Sequence, residues 1–356
     1  MPETSPRAAA LNRDRPVAVW LLVCCLMIYA MVVLGGVTRL TGSGLSMVEW
    51  DPIFGIVPPL DQASWEETFA LYRQSPEYRH INAGMDLAGF KRIYWFEFSH
   101  RLLGRTIGTV FLLPFLYFLV RGRLGRPLAP RLAALFVLGG LQGLLGWYMV
   151  KSGLVDDPHV SQYRLSAHLG LALLIYAWML HVALGLWHGA EQALPAGARL
   201  RRAVRSLLAL VFITILSGGF VAGLKAGHAY NTFPLMDGHW IPQVIFMLEP
   251  WWHNFFENIA TVQFDHRLLA TLVFCSVCLL WFFGLRGTTA PPLRRGLHLL
   301  LAAVLLQVAL GISTLLLYVP VPLAATHQAG AVLLLSVLVY LNQRMTGSGD
   351  RPAVVA

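Results

Sequence analysis

Charge is missing from long stretches of this chain. Pro16–Thr38, Leu132–Val150, Leu165–Trp187, Ser206–Leu224 and Leu268–Leu285 carry no charged side chain, and Leu102–Val120 is interrupted only by Arg105. Gly296–Gln343 is also uncharged and too long for a single crossing. Pro320 and Pro322 mark a break inside it, because proline removes a helix donor and clashes with the preceding turn. A helix needs about 20 apolar residues to span a bilayer at a 1.5 Å rise per residue. The pattern therefore predicts eight transmembrane helices. Runs this long and this numerous exclude the core helices of a soluble protein.

Composition agrees with that reading. The 356 residues are 56% hydrophobic and 13% charged, against about 25% charged in soluble domains, and the mean hydropathy is +0.61. The arginines are segregated. Arg7, Arg13 and Arg15 precede the first span. Arg121, Arg123, Arg126 and Arg131 lie in the second connection, Arg199, Arg201, Arg202 and Arg205 in the fourth, and Arg286, Arg294 and Arg295 in the sixth. The other connections hold Asp51, Asp61, Glu66, Glu67, Glu77, Asp86, Asp156, Asp157, Asp237 and Glu249. The excess of arginine on one side predicts that both termini are cytoplasmic. Net charge +9 is then a topology signal. No basic run is interleaved with aromatics as a nucleic-acid surface would require. Cys24, Cys25, Cys275 and Cys278 all fall inside spans, so no disulfide is expected, and the Cys275-x-x-Cys278 spacing reads as small apolar packing rather than a metal motif. The first apolar run is long enough to stay as an anchor, with no cleavable signal.

The chain repeats itself. "EFSHRLLG" at 97–104 returns as "QFDHRLLA" at 263–270, "LQGLLG" at 141–146 as "LQVALG" at 306–311, and "LSAHLG" at 165–170 as "LAATHQAG" at 323–330. "GGVTRLTGSG" at 35–44 faces "GGFVAGLKAG" at 218–227. Spans one to four thus match five to eight in order and direction, as parallel repeats do. The expected architecture is an all-α integral membrane protein of two pseudo-symmetric four-helix bundles, residues 1–195 and 196–356. Long outer loops, 39–90 and 225–260, follow the first span of each half. Within the first, Trp65–Arg73 and Met85–Phe96 read as interfacial helices, and Trp95, Trp147, Trp240, Trp251 and Trp252 read as an outer aromatic belt.

Each half supplies two histidines near the outer ends of its even-numbered spans: His100 and His168, then His266 and His327. All four are expected to open their helices just below the outer loop. A lone histidine in a membrane helix serves a neighbouring helix or a proton path. Two opposed neutral imidazoles, repeated at matched depth, are instead the axial ligands of a heme iron, and a bundle interior is a usual place for one. Copper or zinc would call for further ligands nearby. His181 lies roughly 20 Å along the helix from His168 at 1.5 Å per residue, too far to join the pair. His188 and His298 sit at inner helix ends, and His80, His159, His228, His239 and His253 in outer loops.

Arg101 and Arg267 follow the first histidine of each pair. Two readings stand: a bidentate hold on a heme propionate, or snorkelling to the headgroups. Arg39, Arg164 and Lys225 are lesser rim candidates. Glu97 precedes His100 by three residues and so shares its face, while Gln263 holds the matching place before His266. Carboxylates in membrane helices are retained mainly for function, so the exchange suggests chemistry in the first half and a resident cofactor in the second. A structural carboxylate paired with Arg101 or Lys91 is the competing account.

Four segments together, "GGVTRLTGSGLSMVEWDPIFGIVPP" at 35–59, "FKRIYWFEFSHRLLGR" at 90–105, "GGFVAGLKAGHAYNTFPLMDG" at 218–238 and "NIATVQFDHRLLA" at 258–270, resemble the heme A synthase family of proteobacteria and mitochondria over nearly the whole chain. The resemblance implies oxidation of a methyl group of heme O to the formyl of heme A, by successive hydroxylations, for terminal oxidases. It implies a heme b cofactor on His266 and His327, a substrate half with His100 and His168, and an essential glutamate at Glu97. It also implies supply of heme O by a heme O synthase, an electron donor of ferredoxin or quinol type, and the bacterial inner membrane as location. Gram-positive members carry a cysteine pair in the first outer loop, and this chain has none there. Two other classes fit the residues less fully: a bis-histidine two-heme electron carrier, which would tolerate Glu97→Gln, and a transporter with a histidine proton relay, which would be colourless.

Overall fold

The computed structural model describes residues 6–49, 55–154, 158–189, 194–288 and 290–346, with side chains from residue 14 onward. Asp51, Asp156 and Asp157 lie outside the described residues, as do the side chains of Arg7 and Arg13. Eight long helices dominate: α1 (Pro6–Leu40), α4 (Leu87–Val120), α5 (Ala129–Ser152), α6 (Gln162–His188), α7 (Ala198–Gly223), α9 (Ile259–Gly287), α10 (Pro291–Leu316) and α11 (Val321–Met345). All eight are long and apolar enough to cross a membrane, and this is a multi-pass membrane protein. Among the described residues the architecture is all-helical, without a named strand. Short helices α2 (Gln62–Tyr72), α3 (Pro76–His80) and α8 (Asn254–Glu257) lie in the two long loops.

Local chemistry sets the ends. Asp61 caps α2 by accepting from Ser64 N at 2.8 Å, and Asp86 caps α4 through Gly89 N at 2.7 Å. Asn258 caps α9 through Ala260 N at 2.9 Å. Each cap satisfies an otherwise orphaned amide of the first turn. Proline opens α10 and α11, where its missing N–H costs nothing.

One expectation needs correction. Met85–Phe96 does not lie flat as a separate interfacial helix: from Leu87 it is the first third of α4. No breaker separates it from the span, and its aromatics recur at helical spacing. Phe90, Tyr94 and Phe98 form one buried stripe against Trp65 and Tyr72, with Phe90 stacked on Tyr72 at 5.0 Å and Trp65 edge-on to Tyr94 at 5.0 Å. In the same way α9 begins well before Leu268. His100 and His266 therefore sit inside continuous helices rather than at their openings.

The packed pairs follow a rule. α1 meets α4 and α6, and α5 meets α4 and α6; correspondingly α7 meets α9 and α11, and α10 meets α9 and α11. Cross-contacts run α1–α11, α6–α7 and α6–α11. This set is unchanged when the first four spans are exchanged for the last four. Burial sorts the helices accordingly: half of the α6 span is buried against 6% of α5. The apolar outer faces of α5 and α10, with Val137, Leu144, Leu299 and Leu305 exposed, are what a lipid solvent requires. The four cysteines are free thiols, two of them in the core.

Candidate histidine pairs and their surroundings

Each of the four histidines rests on a glycine of the preceding span. A Cβ built on Gly35 of α1 would stand 3.0 Å from His100 Nε2, and one on Gly146 of α5 would stand 2.9 Å from His168 Cε1. In the second half, a Cβ on Gly218 of α7 would meet His266 Cε1 at 3.1 Å, and one on Gly311 of α10 would meet His327 Cε1 at 2.8 Å. Only a residue without Cβ lets an imidazole lie this close to a neighbouring helix. The four glycines occupy matched places: Gly35 and Gly218 open the doubled glycine, and Gly146 and Gly311 close the "LQ" segments. His100 and His168 lie within electrostatic reach of each other, as do His266 and His327. Each pair thus joins two helices of its own half.

The second histidine of each pair has a glutamine partner from the same matched segments. Gln142 Nε2 donates to the His168 carbonyl at 3.0 Å and lies 3.1 and 3.2 Å from the two ring nitrogens. Gln307 Nε2 donates to the His327 carbonyl at 2.9 Å and lies 3.2 Å from Nδ1. The first histidines differ. Ser217 Oγ sits 2.8 Å from His266 Nδ1, whereas no hydrogen bond from a described residue reaches the His100 ring.

One turn before the first histidine of each pair, one side chain, together with an arginine four residues after it, pins the long loop of its half. Glu97 is buried and lies 2.5 Å from Arg101 Nη2; it also accepts from Ser46 Oγ at 2.8 Å and Met47 N at 2.9 Å. Arg101 continues to the carbonyls of Met47 at 2.8 Å and Glu49 at 3.0 Å. Lys91 does not join: its ammonium lies over the Trp65 ring at 5.0 Å. In the second half Gln263 Nε2 donates to the Ala226 carbonyl at 2.9 Å, and Arg267 donates to Gln263 Oε1 at 3.2 Å and to Tyr230 O at 2.7 Å. The two clamps match in place and differ in polarity. The first loop offers donors to residue 97, which a carboxylate satisfies; the second offers a carbonyl to residue 263, which only an amide satisfies. Loop polarity therefore accounts for part of the Glu/Gln exchange.

The remaining sequence candidates lie apart. His181 faces the other end of α6, His188 Nδ1 bonds Leu184 O at 2.9 Å, and His298 accepts from Trp281 Nε1 at 3.1 Å. His228 belongs to the turn whose Ala226 carbonyl holds Gln263. Arg164 lies over the Tyr148 ring at 4.8 Å. Sequence reasoning singled out the histidines, Glu97, Arg101 and Arg267 but not their supports: the four glycines, Gln142, Gln307 and Ser217. The signal was present, because the glycines and glutamines recur in both copies of the quoted segments.

These donor sets fit a heme. Each pair offers two imidazoles and a glycine-lined approach, and among the described residues no group of three or more His, Cys, Asp or Glu is placed to hold a metal ion, which suits a bis-axial iron better than a tetrahedral ion. The comparisons with known proteins agree. The COX15-CtaA family, described as a cytochrome oxidase assembly protein, matches residues 18–339. A protein named heme A synthase from Nitrosospira multiformis is 56% identical over 335 residues, covering 93% of this chain and 94% of that protein. Heme A synthases from Nitrosomonas eutropha and Paramagnetospirillum magneticum are 53% and 51% identical, each over 93% of this chain and 94% of the relative. The repeated spans, the two histidine pairs and these similarities along almost the full length have one consequence: the chain belongs to the COX15-CtaA family of cytochrome oxidase assembly proteins.

Proposed function

We propose that this membrane protein is a heme A synthase, oxidising a methyl group of heme O to a formyl group by successive hydroxylations and loss of water. The observation that carries the reading is the pairing of two like histidine sites with unlike companions. Both have glycine-notched imidazoles, and only the first has a carboxylate one turn away. The names of the relatives support the same activity.

In this reading residues 1–195 take the substrate, with His100 and His168 toward its iron. Residues 196–356 hold heme b between His266 and His327. Heme b supplies one-electron transfer when bound. Gly146 and Gly311 let their histidines sit against the helix backbone, and Gln142 and Gln307 fix the same two residues by their carbonyls. Glu97 moves a proton at its carboxylate or orients the reacting group, and with Arg101 it closes loop 43–49 over the outer end. Arg101 and Arg267 are the propionate-binding candidates. The buried Nε of Arg267, without a partner among the described residues, supports that role, while the Nη atoms of both arginines already reach loop carbonyls. A heme O synthase supplies the substrate and a ferredoxin or quinol donor the electrons. Eight crossings with arginine-rich connections on one side support an inner-membrane location with cytoplasmic termini.

The test is expression in cells that make heme O but lack heme A, followed by chromatography of the extracted pigment. Heme A is expected with the native chain. Glu97→Gln is expected to abolish heme A while leaving the Soret band of the second half, and His266→Ala with His327→Ala to remove that band. A two-heme carrier would show the bands and no heme A in any variant, and that outcome overturns the reading.

A further inference from the structure

The two copies of the doubled glycine differ in the letter before it. Leu34 precedes Gly35-Gly36, and Ser217 precedes Gly218-Gly219. That letter touches the site. Ser217 Oγ donates its single hydrogen to the Thr214 carbonyl at 2.8 Å. Toward His266 Nδ1, also 2.8 Å away, the hydroxyl is then placed to accept, and the Thr214 carbonyl also faces the His266 ring, so the arrangement favours the ring hydrogen on Nδ1. The nitrogen left with a lone pair is Nε2, the state a metal ligand needs. At Leu34 there is no polar side-chain atom, and its carbonyl accepts from Thr38 Oγ1 at 2.8 Å. The His100 ring is positioned by packing on Gly35 and by no hydrogen bond from a described residue.

On the other side the two pairs are alike, since Gln142 and Gln307 hold the His168 and His327 carbonyls at 3.0 and 2.9 Å. Apart from the Glu97/Gln263 exchange, the difference in side-chain partners of the two first histidines is therefore concentrated at one position of one helix. A hydrogen bond from Nδ1–H fixes tautomer and ring orientation and raises the basicity of the ligating nitrogen. A ring without one gives up less on turning away.

We propose that Ser217 is the positioning residue that makes His266 a permanent axial ligand, and that Leu34, in the same place of the other half, leaves His100 as the exchangeable one. This rests on the reading of the two halves as cofactor and substrate sites. It answers a requirement of that reading: iron with two imidazoles has no open position, and a substrate heme must also arrive and depart, whereas the resident heme must stay. The small hydroxyl at 217 and its absence at 34 divide those tasks between copies of one unit.

The experiment uses the full chain purified with its hemes from heme-replete cells. Ser217→Ala should weaken heme retention at the second site by about 10- to 100-fold, the usual effect of removing an outer partner of a ligating histidine. It should also shift that heme's midpoint potential upward and open it to carbon monoxide when reduced. Ser217→Thr keeps the hydroxyl and should restore all three readouts. Leu34→Ser should lower carbon monoxide binding by the first-half heme, and Leu34→Ala, which makes the same space without the hydroxyl, should not. Wild-type potential and retention in Ser217→Ala, or equal behaviour of Leu34→Ser and Leu34→Ala, overturns the assignment. A spectrum unchanged by replacing both His266 and His327 sinks the two-site reading itself, and is distinguishable because it needs no change at 217 or 34.

Discussion

At the scale of single residues, this site depends on what is absent. A histidine can stand in any membrane helix, but four histidines resting on four glycines require the backbones to be close and unobstructed. Gly146 and Gly143 lie on the same helix and provide an internal comparison. A Cβ at 146 would press on His168 Cε1 at 2.9 Å, whereas nothing lies within 4 Å of one at 143. Alanine favours a helix over glycine by about 1 kcal/mol, and overpacking a filled site costs about 1–3 kcal/mol. The overpacking term wins only at 146. Gly143→Ala is therefore expected to keep or raise the melting temperature with heme content unchanged. Gly146→Ala is expected to lose first-half heme, measured as heme per protein by pyridine hemochrome. Equal heme loss in both variants would show that the notch does not matter. The histidines were legible in the sequence because they recur with their neighbours. Their glycine and serine partners were not singled out, because a helix-to-helix contact has no fixed sequence spacing.

At the scale of elements, the first long loop builds a small aromatic cluster against the start of α4. Tyr72 and Phe90 are fully buried in it, and Tyr72 Oη donates to Glu77 Oε2 at 3.1 Å while Asn82 Nδ2 donates to Tyr72 Oη at 2.7 Å. Burial pushes the Glu77 carboxyl up to about 7; the Tyr72 hydroxyl opposes that rise and the nearby Glu97 adds to it. The sign follows from proton counting. From pH 4.5, its ordinary value, to about 7 the folded loop holds a proton that the unfolded one has released. Stability therefore falls as pH rises through that window, by on the order of 3 kcal/mol for the group. Glu77→Gln should flatten this slope, so that the variant gains on the native chain between pH 5 and 8 in melts followed by tryptophan fluorescence. Parallel slopes would remove Glu77 as the cause. The sequence showed α2 at close to its observed length, yet split α4 at Leu102. The aromatic stripe Phe90, Tyr94, Phe98 resembles an interfacial helix in composition, and only its packing on Trp65 and Tyr72 shows it to be the upper part of a span. The Glu97–Arg101 pair was named from the sequence as the competing account, but the loop side of the Glu97 and Gln263 clamps was not legible, since it depends on whether the loop turns an amide or a carbonyl inward.

At the scale of the whole molecule, the eight-span count was legible from the charge-poor runs together with the proline break at Pro320 and Pro322, because a bilayer leaves no other place for apolar runs of this length. Which helices are central was not, since α5 and α6 are similarly apolar and differ only in what covers them. The seam between halves is held by polar groups that hydropathy ignores: Tyr29 Oη donates to Ala329 O at 3.2 Å, Gln328 Nε2 to Val32 O at 2.7 Å, and Tyr176 Oη meets Ser336 Oγ at 2.8 Å. Orientation is the remaining global property, and it is open to direct measurement. Arg123 is exposed in the turn between α4 and α5, and Glu66 is exposed on α2. Alternation of eight crossings places these two on opposite faces, and the arginine bias assigns the Arg123 face to the cytoplasm. In a chain with its four native cysteines replaced, Glu66→Cys should react with a membrane-impermeant maleimide on intact spheroplasts. Arg123→Cys should react only after permeabilisation. The reverse pattern would invert the topology and put both histidine pairs near the cytoplasmic surface, and labelling of both on intact cells would break the alternation of crossings between α2 and α5.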